Sequence, residues 1–270
     1  MPNSKVIAIM NQKGGVGKTT TVVNLGAGLA EAGKKVLMID LDPQASLTIS
    51  MGFREPDKLD GTITDIFMKV VNDEVIPEGY AIHSVAERMD LIPSSIDLSA
   101  AEVSLVNAMS RKLVLRSYME RISSNYDYIL IDCMPSLGML TVNALACAGS
   151  VLIPVQPAYL PVRGLQQLIR TIYTVKRRLN SALTIEGILF TMVDRRTLYA
   201  KEIVEEVNQA YGGTIPIFQM VIPMSVKASE TSQAAKNIYD YDPQGKAAKA
   251  YRELTEEVLE NDSEERKGAF

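Results

Sequence analysis

The chain has 270 residues, 47% of them hydrophobic, enough for the core of one α/β domain. Its formal net charge of −4 excludes a uniformly basic nucleic-acid coat, so any such binding must come from a local patch. Cys133 and Cys147 lack metal-type spacing, no signal peptide opens the chain, and prolines interrupt its most apolar region, 141–162; metal clusters, secretion and membrane spans are not expected.

Strand-like and helix-like segments alternate. "KVIAIM" (5–10) reads as a buried strand, and Lys18 to Ala32 as a helix stopped by Gly33. Further strands are expected at "KVLMID" (35–40), near "MDLIPSS" (89–95), and at "YDYILID" (126–132), "SVLIPV" (150–155) and "IEGILFTMV" (185–193). Most are unbroken Val/Ile/Leu runs, the pattern of parallel strands covered on both faces. Helices are expected at 62–70, 97–123, 137–147, 161–179, 198–211 and 244–259, with 260–270 as a frayed tail. The order predicts a single α/β domain over 1–270, a doubly wound, mostly parallel sheet with helices on both faces.

"KGGVGKTT" (13–20) follows a strand and opens a helix, the context a phosphate-binding loop requires. Gly14, Gly15 and Gly17, with Val16, let backbone N–H groups turn toward phosphate oxygens at the positive end of a helix. Lys18 is placed to reach the β- and γ-phosphates, while Thr19, followed by Thr20, offers a hydroxyl to Mg²⁺. Lys13 stands where the first glycine of the pattern usually does. It is either an ordinary solvated lysine or a cation for a second triphosphate brought across a two-fold interface.

Asp40, Asp42 and Asp132 lie at the ends of apolar strands, where carboxylates of a parallel sheet point into the ligand crevice. Asp132 is the expected residue at the magnesium, with Asp40 in a supporting position in its shell. Asp42 is expected to position the attacking water; the competing reading is that the Asp-Pro pair caps a loop.

The lysine before the double glycine marks the deviant Walker A variant of the P-loop. With "DLDPQASLT" (40–48), "YILIDCMPSLG" (128–138), "VLIPVQP" (151–157), "TMVDRRT" (191–197) and "IPMSVKASE" (222–230), the chain resembles the ParA/Soj family of partition ATPases over nearly its full length. The resemblance implies a slow ATPase using ATP and Mg²⁺, with Lys13 crossing to the partner's ATP in a nucleotide-dependent homodimer. It implies Asp42 as the hydrolytic residue and Met192 and Pro223 beside the adenine. It also implies non-specific double-stranded DNA binding through Arg195, Arg196 and Lys227, segregation of a plasmid or chromosome, and a ParB-like centromere-binding partner that stimulates hydrolysis. On that reading the protein is cytoplasmic and nucleoid-associated with ATP.

Three places carry candidate DNA-contacting charge, "KRR" (176–178), "DRR" (194–196) and Lys227 with Lys236; for "KRR" the competing and favoured reading is a solvated helix end suited to the dipole. The acid-rich tail does not match the membrane helix of the division-site relatives, and with the first strand near Lys5 the helix-turn-helix of larger plasmid forms is not expected. Met134, Ala158 and Arg163 depart from the family pattern, the last two in a segment expected near the dimer face. Two other functions stay open: a positioning ATPase for a protein complex, and a P-loop enzyme that phosphorylates or ligates a small molecule.

Overall fold

The computed structural model describes residues 4–106, 111–194 and 196–268. In chain order the elements are β1 (Lys5–Ile9), α1 (Lys18–Glu31), β2 (Val36–Leu41), α2 (Ser46–Ser50), α3 (Ile63–Val71), β3 (His83–Ala86), β4 (Met89–Ile92), α4 (Leu98–Leu105), α5 (Val114–Ile122), β5 (Tyr128–Cys133), α6 (Met139–Cys147), β6 (Ser150–Val155), α7 (Tyr159–Arg178), β7 (Thr184–Phe190), α8 (Leu198–Tyr211), α9 (Val226–Ala234), α10 (Ile238–Tyr241) and α11 (Lys246–Gly268). The strands form one seven-stranded sheet in the order β3-β4-β2-β5-β1-β6-β7. Every pairing is parallel except β3 with β4.

Each residue of β2, β5 and β6 is buried, as unbroken apolar runs require when helices cover both faces. One core lies under α3 to α8, where Phe67, Leu115, Leu145, Ile172 and Val207 meet the sheet. The other lies under α1, α10 and α11, built on Val22, Leu25, Tyr239, Tyr251 and Leu254. There α1 and α11 approach so closely that a Cβ at Gly28 would overlap Thr255 Oγ1 and lie 2.8 Å from the Tyr239 hydroxyl.

Two expectations change. The single helix over 97–123 is replaced by α4 and α5; Asn143 of α6 accepts from the Leu115 N–H and donates to the Arg111 carbonyl, fixing a separate start for α5. The last helix continues to Gly268, past the frayed tail expected from residue 260. The buried Tyr128 hydroxyl of β5 donates to Asp262 at 2.9 Å and ties this extension to the sheet.

Candidate functional site

Register places the site. Ile9, the last residue of β1, pairs with Asp132 of β5, which in turn pairs with Asp40 of β2. Two carboxylates from adjacent strands therefore stand beside the loop leaving β1, at the carboxyl edge where parallel sheets bind ligands.

That loop is held from several sides. Gly15 and Gly17 take φ of 71° and 84°, a conformation that side chains with a Cβ rarely adopt, and Gly17 opens α1. Asn11, buried, donates to the Pro154 carbonyl of β6 at 2.7 Å and accepts the Lys13 N–H at 3.0 Å. The Thr191 hydroxyl donates to the Val16 carbonyl at 2.8 Å, and Thr20 receives the Asn24 amide on its carbonyl. Space above Gly14 and Gly15 is open to 4 Å, as a cradle for a bulky anion requires.

The two lysines of the loop differ. Lys18 is buried, and its ammonium turns inward onto the Lys13 carbonyl at 3.2 Å. Burial lowers its pKa, an effect opposed by the charge of Asp132. Lys13 is half-buried, and among the described residues no hydrogen bond or ion pair engages its ammonium.

Asp132 is 1% exposed; the Thr19 hydroxyl donates to its Oδ2 at 2.6 Å, whereas its buried Oδ1 has no partner. Burial first, and the Asp40 charge second, push its pKa up to about 8. Asp40 is fully buried and differently used: Oδ2 accepts the Thr48 N–H and hydroxyl at 2.8 and 2.7 Å, and Oδ1 accepts the Asp42 N–H at 3.2 Å. Burial raises it too, to about 6, against the Thr48 hydrogen bonds that lower it. Asp40 thus builds the turn after β2. Asp42 is half-buried, its Oδ1 accepting the Gln44 N–H at 2.9 Å, so the loop-capping contact is present. No three His, Cys, Asp or Glu side chains form a metal-binding group among the described residues. A magnesium ion would need oxygen ligands from phosphate and water beside those of the protein, and the buried Asp132 Oδ1, which has no partner, fits that chemistry.

Met192 has a positive φ of 54°, its Sδ-methyl lies 3.7 Å from where a Cβ on Gly17 would sit, and an isolated bridge sets Pro223 beside Val193. Pro223, Val193 and Met224 edge an open cavity of about 830 Å³. Of the expected DNA contacts, Arg195 lies outside the described residues. Arg196 is held by Asp194 through two hydrogen bonds of 2.9 and 2.8 Å. Lys227 pairs with Glu230 at 3.4 Å and sits over the Tyr241 ring. Ala158 caps α7, Met134 packs partly buried against the core, and the Arg163 side chain lies outside those described. Cys133 and Cys147 are free thiols, and burial raises the pKa of both, as expected of core cysteines.

A family profile described as an AAA domain matches residues 4–185. The sporulation initiation inhibitor protein Soj of Bacillus subtilis is 44% identical over 257 residues, covering 95% of this chain and 99% of that protein. The chain belongs to the ParA/Soj family of partition ATPases. A chromosome partitioning protein ParA from Myxococcus xanthus is 42% identical over 96% of this chain and 89% of its own length. Among solved structures, a cobyrinic acid a,c-diamide synthase from Mycobacterium smegmatis, with bound ATP analog and magnesium, superposes with a TM-score of 0.81 at 36% identity, over 95% of this chain and 94% of that one. Family membership accounts for the sheet and the nucleotide-binding loop. Sequence reasoning missed Asn11, Thr48 and Thr191, which shape the site through contacts distant in sequence.

Proposed function

We propose that the protein is a Mg-ATP-dependent ATPase that dimerises with ATP, binds double-stranded DNA without sequence preference, and segregates a plasmid or chromosome with a ParB-like partner. The observation that carries this reading is the division of labour in the loop. Lys18 is committed to its own chain, while the Lys13 ammonium beside it engages no described residue. A cation in that position gains a partner when a second nucleotide is presented across a two-fold axis.

ATP with Mg²⁺, when bound, supplies a phosphoryl group for transfer to water. Lys18 and the N–H groups of residues 14–19 hold the phosphates. Thr19 and Asp132 would hold the magnesium through oxygen and water, and Asp40 keeps the β2 turn in place. Asp42 positions the attacking water, its other carboxylate oxygen being free of the Gln44 contact. Met192 and Pro223 flank the base. Hydrolysis is slow until the partner completes the site, and it returns the dimer to monomers.

The synthase among the structural neighbours raises a second reading, turnover onto a small acceptor. One experiment separates them. Duplex DNA of scrambled sequence is titrated with protein, with and without ATP and magnesium, at graded salt. The proposed function predicts binding that requires ATP and weakens steeply with salt. Binding indifferent to nucleotide, or turnover that needs a small acceptor, contradicts it.

A further inference from the structure

From Cys133 to Ile185 the chain has no Asp or Glu, yet it carries Arg163, Arg170, Lys176, Arg177 and Arg178, an excess of five positive charges in a protein of formal net charge −4. Four of these lie in the second half of α7. Its inner face is committed to the core through Leu165, Leu168, Ile172 and Val175. Arg170, Tyr173, Thr174 and Arg177 follow at helical spacing on the outer face, and all four are exposed. With Lys176 and Ser181 they line an open groove of about 720 Å³.

This face differs from the protein's other solvated helices. On α8, Lys201 alternates with Glu202, Glu205 and Glu206, and on α11 cations and carboxylates also intermix. Arg196 and Lys227 each have their own carboxylate in Asp194 and Glu230. Among the described residues no ion pair engages Arg170, Lys176, Arg177 or Arg178. The helix dipole favours cations in the last turn only, and Arg170 lies two turns before it.

We infer that the outer face of α7 is a separate docking surface for the phosphate backbone of double-stranded nucleic acid, with Arg170, Lys176 and Arg177 as its contacts. The groove offers guanidinium, ammonium and hydroxyl donors and no carboxylate, the set that phosphate oxygens select. A single strand would need successive aromatic platforms, and Tyr173 is the one aromatic lining the groove. An acidic protein segment would need an apolar anchor beside its charges, and the groove lining provides only the Tyr173 ring. Arg170 and Arg177 are about 10 Å apart along the helix, so their long side chains are placed to meet separate phosphates of one backbone. Gly164 of α7 lies beside the phosphate loop, where a Cβ would be 3.7 Å from Gln12 Oε1. The groove begins about 9 Å further along, so it is distinct from the nucleotide site.

This inference rests on the DNA-binding reading proposed above and adds a surface to it. The test measures duplex DNA binding with ATP and magnesium at several salt concentrations for three full-length proteins: wild type, Arg170→Ala/Lys176→Ala/Arg177→Ala, and the equally charged control Lys34→Ala/Lys58→Ala/Arg88→Ala. Thermal unfolding establishes that the variants fold. The α7 variant is expected to bind roughly tenfold or more weakly, with a salt slope shallower by about 0.9 for each phosphate it no longer neutralises, and the control to match wild type. An α7 variant with wild-type affinity and slope, or a control weakened equally, overturns the α7 assignment and leaves the proposed function standing. Failure of wild type to bind DNA overturns both. Loss of poly-L-glutamate binding with DNA binding intact reassigns the face to an acidic protein, and also overturns the inference.

Discussion

Asp132 carries an electrostatic cost in the folded chain. Its carboxyl is buried, one oxygen lacks a partner, and Asp40 lies on the neighbouring strand. Burial raises its pKa above the ordinary carboxylate value, so the folded chain keeps a proton that the unfolded chain releases. The stabilising contribution is full below the unfolded pKa and is lost as pH rises through the folded one, near 8. Asp132→Asn keeps an acceptor for Thr19 and removes the titration. The nucleotide-free variant should therefore gain stability over wild type as pH goes from about 5 to about 8.5, by on the order of 1 kcal/mol or more. Denaturant titrations at both pH values measure this, and a difference that does not change with pH contradicts it. Asn11 gives a second prediction at this scale. Asn11→Ala leaves the Pro154 carbonyl and the Lys13 N–H without their partner, at a cost of about 1–3 kcal/mol in stability. ATP affinity should fall several-fold by calorimetry; unchanged affinity would show that the loop holds its shape without Asn11.

Among the elements, α1 connects the phosphate loop to the second core. Asn24 accepts the Ile238 N–H at 2.7 Å and donates to the Thr20 carbonyl, so the helix that begins the nucleotide site also fixes the start of α10. Gly28→Ala should cost about 1–3 kcal/mol, because its methyl group must displace Thr255 and Tyr239. Thermal unfolding checks this, and an unchanged midpoint would mean that α11 moves aside freely. The parallel strands and α8 were legible in the sequence because buried apolar runs and a helix capped by Thr197 leave strong patterns, and α1 was legible from the glycines at its two ends, Gly17 and Gly33. The half-buried edge strand β3, "HSVA", was not, since two polar residues followed by two small apolar ones show no period-2 alternation. The short α2 and the polar α9 and α10 were missed for a similar reason: tertiary contacts hold them, not their own periodicity. Within the site, the loop and the strand-end aspartates followed from spacing. Thr191 could not, because it reaches Val16 from 175 residues away in sequence. Nor was Asp40 legible as the residue that organises the Thr48 turn.

As a whole, the molecule is proposed to work as a switch: a monomer whose Lys13 is unengaged, and a dimer in which the partner's nucleotide engages it. Membership of the ParA/Soj family supports the ATPase. No helix among the described residues is long and apolar enough to cross a membrane. The switch is best tested by sedimentation velocity of wild type and Lys13→Gln with a slowly hydrolysed ATP analogue and magnesium, alongside nucleotide affinity measured on the same samples. Wild type should shift to a dimer, while Lys13→Gln should bind the analogue with similar affinity and stay a monomer. A Lys13→Gln protein that dimerises as wild type does would contradict the assignment of Lys13 to the partner's nucleotide.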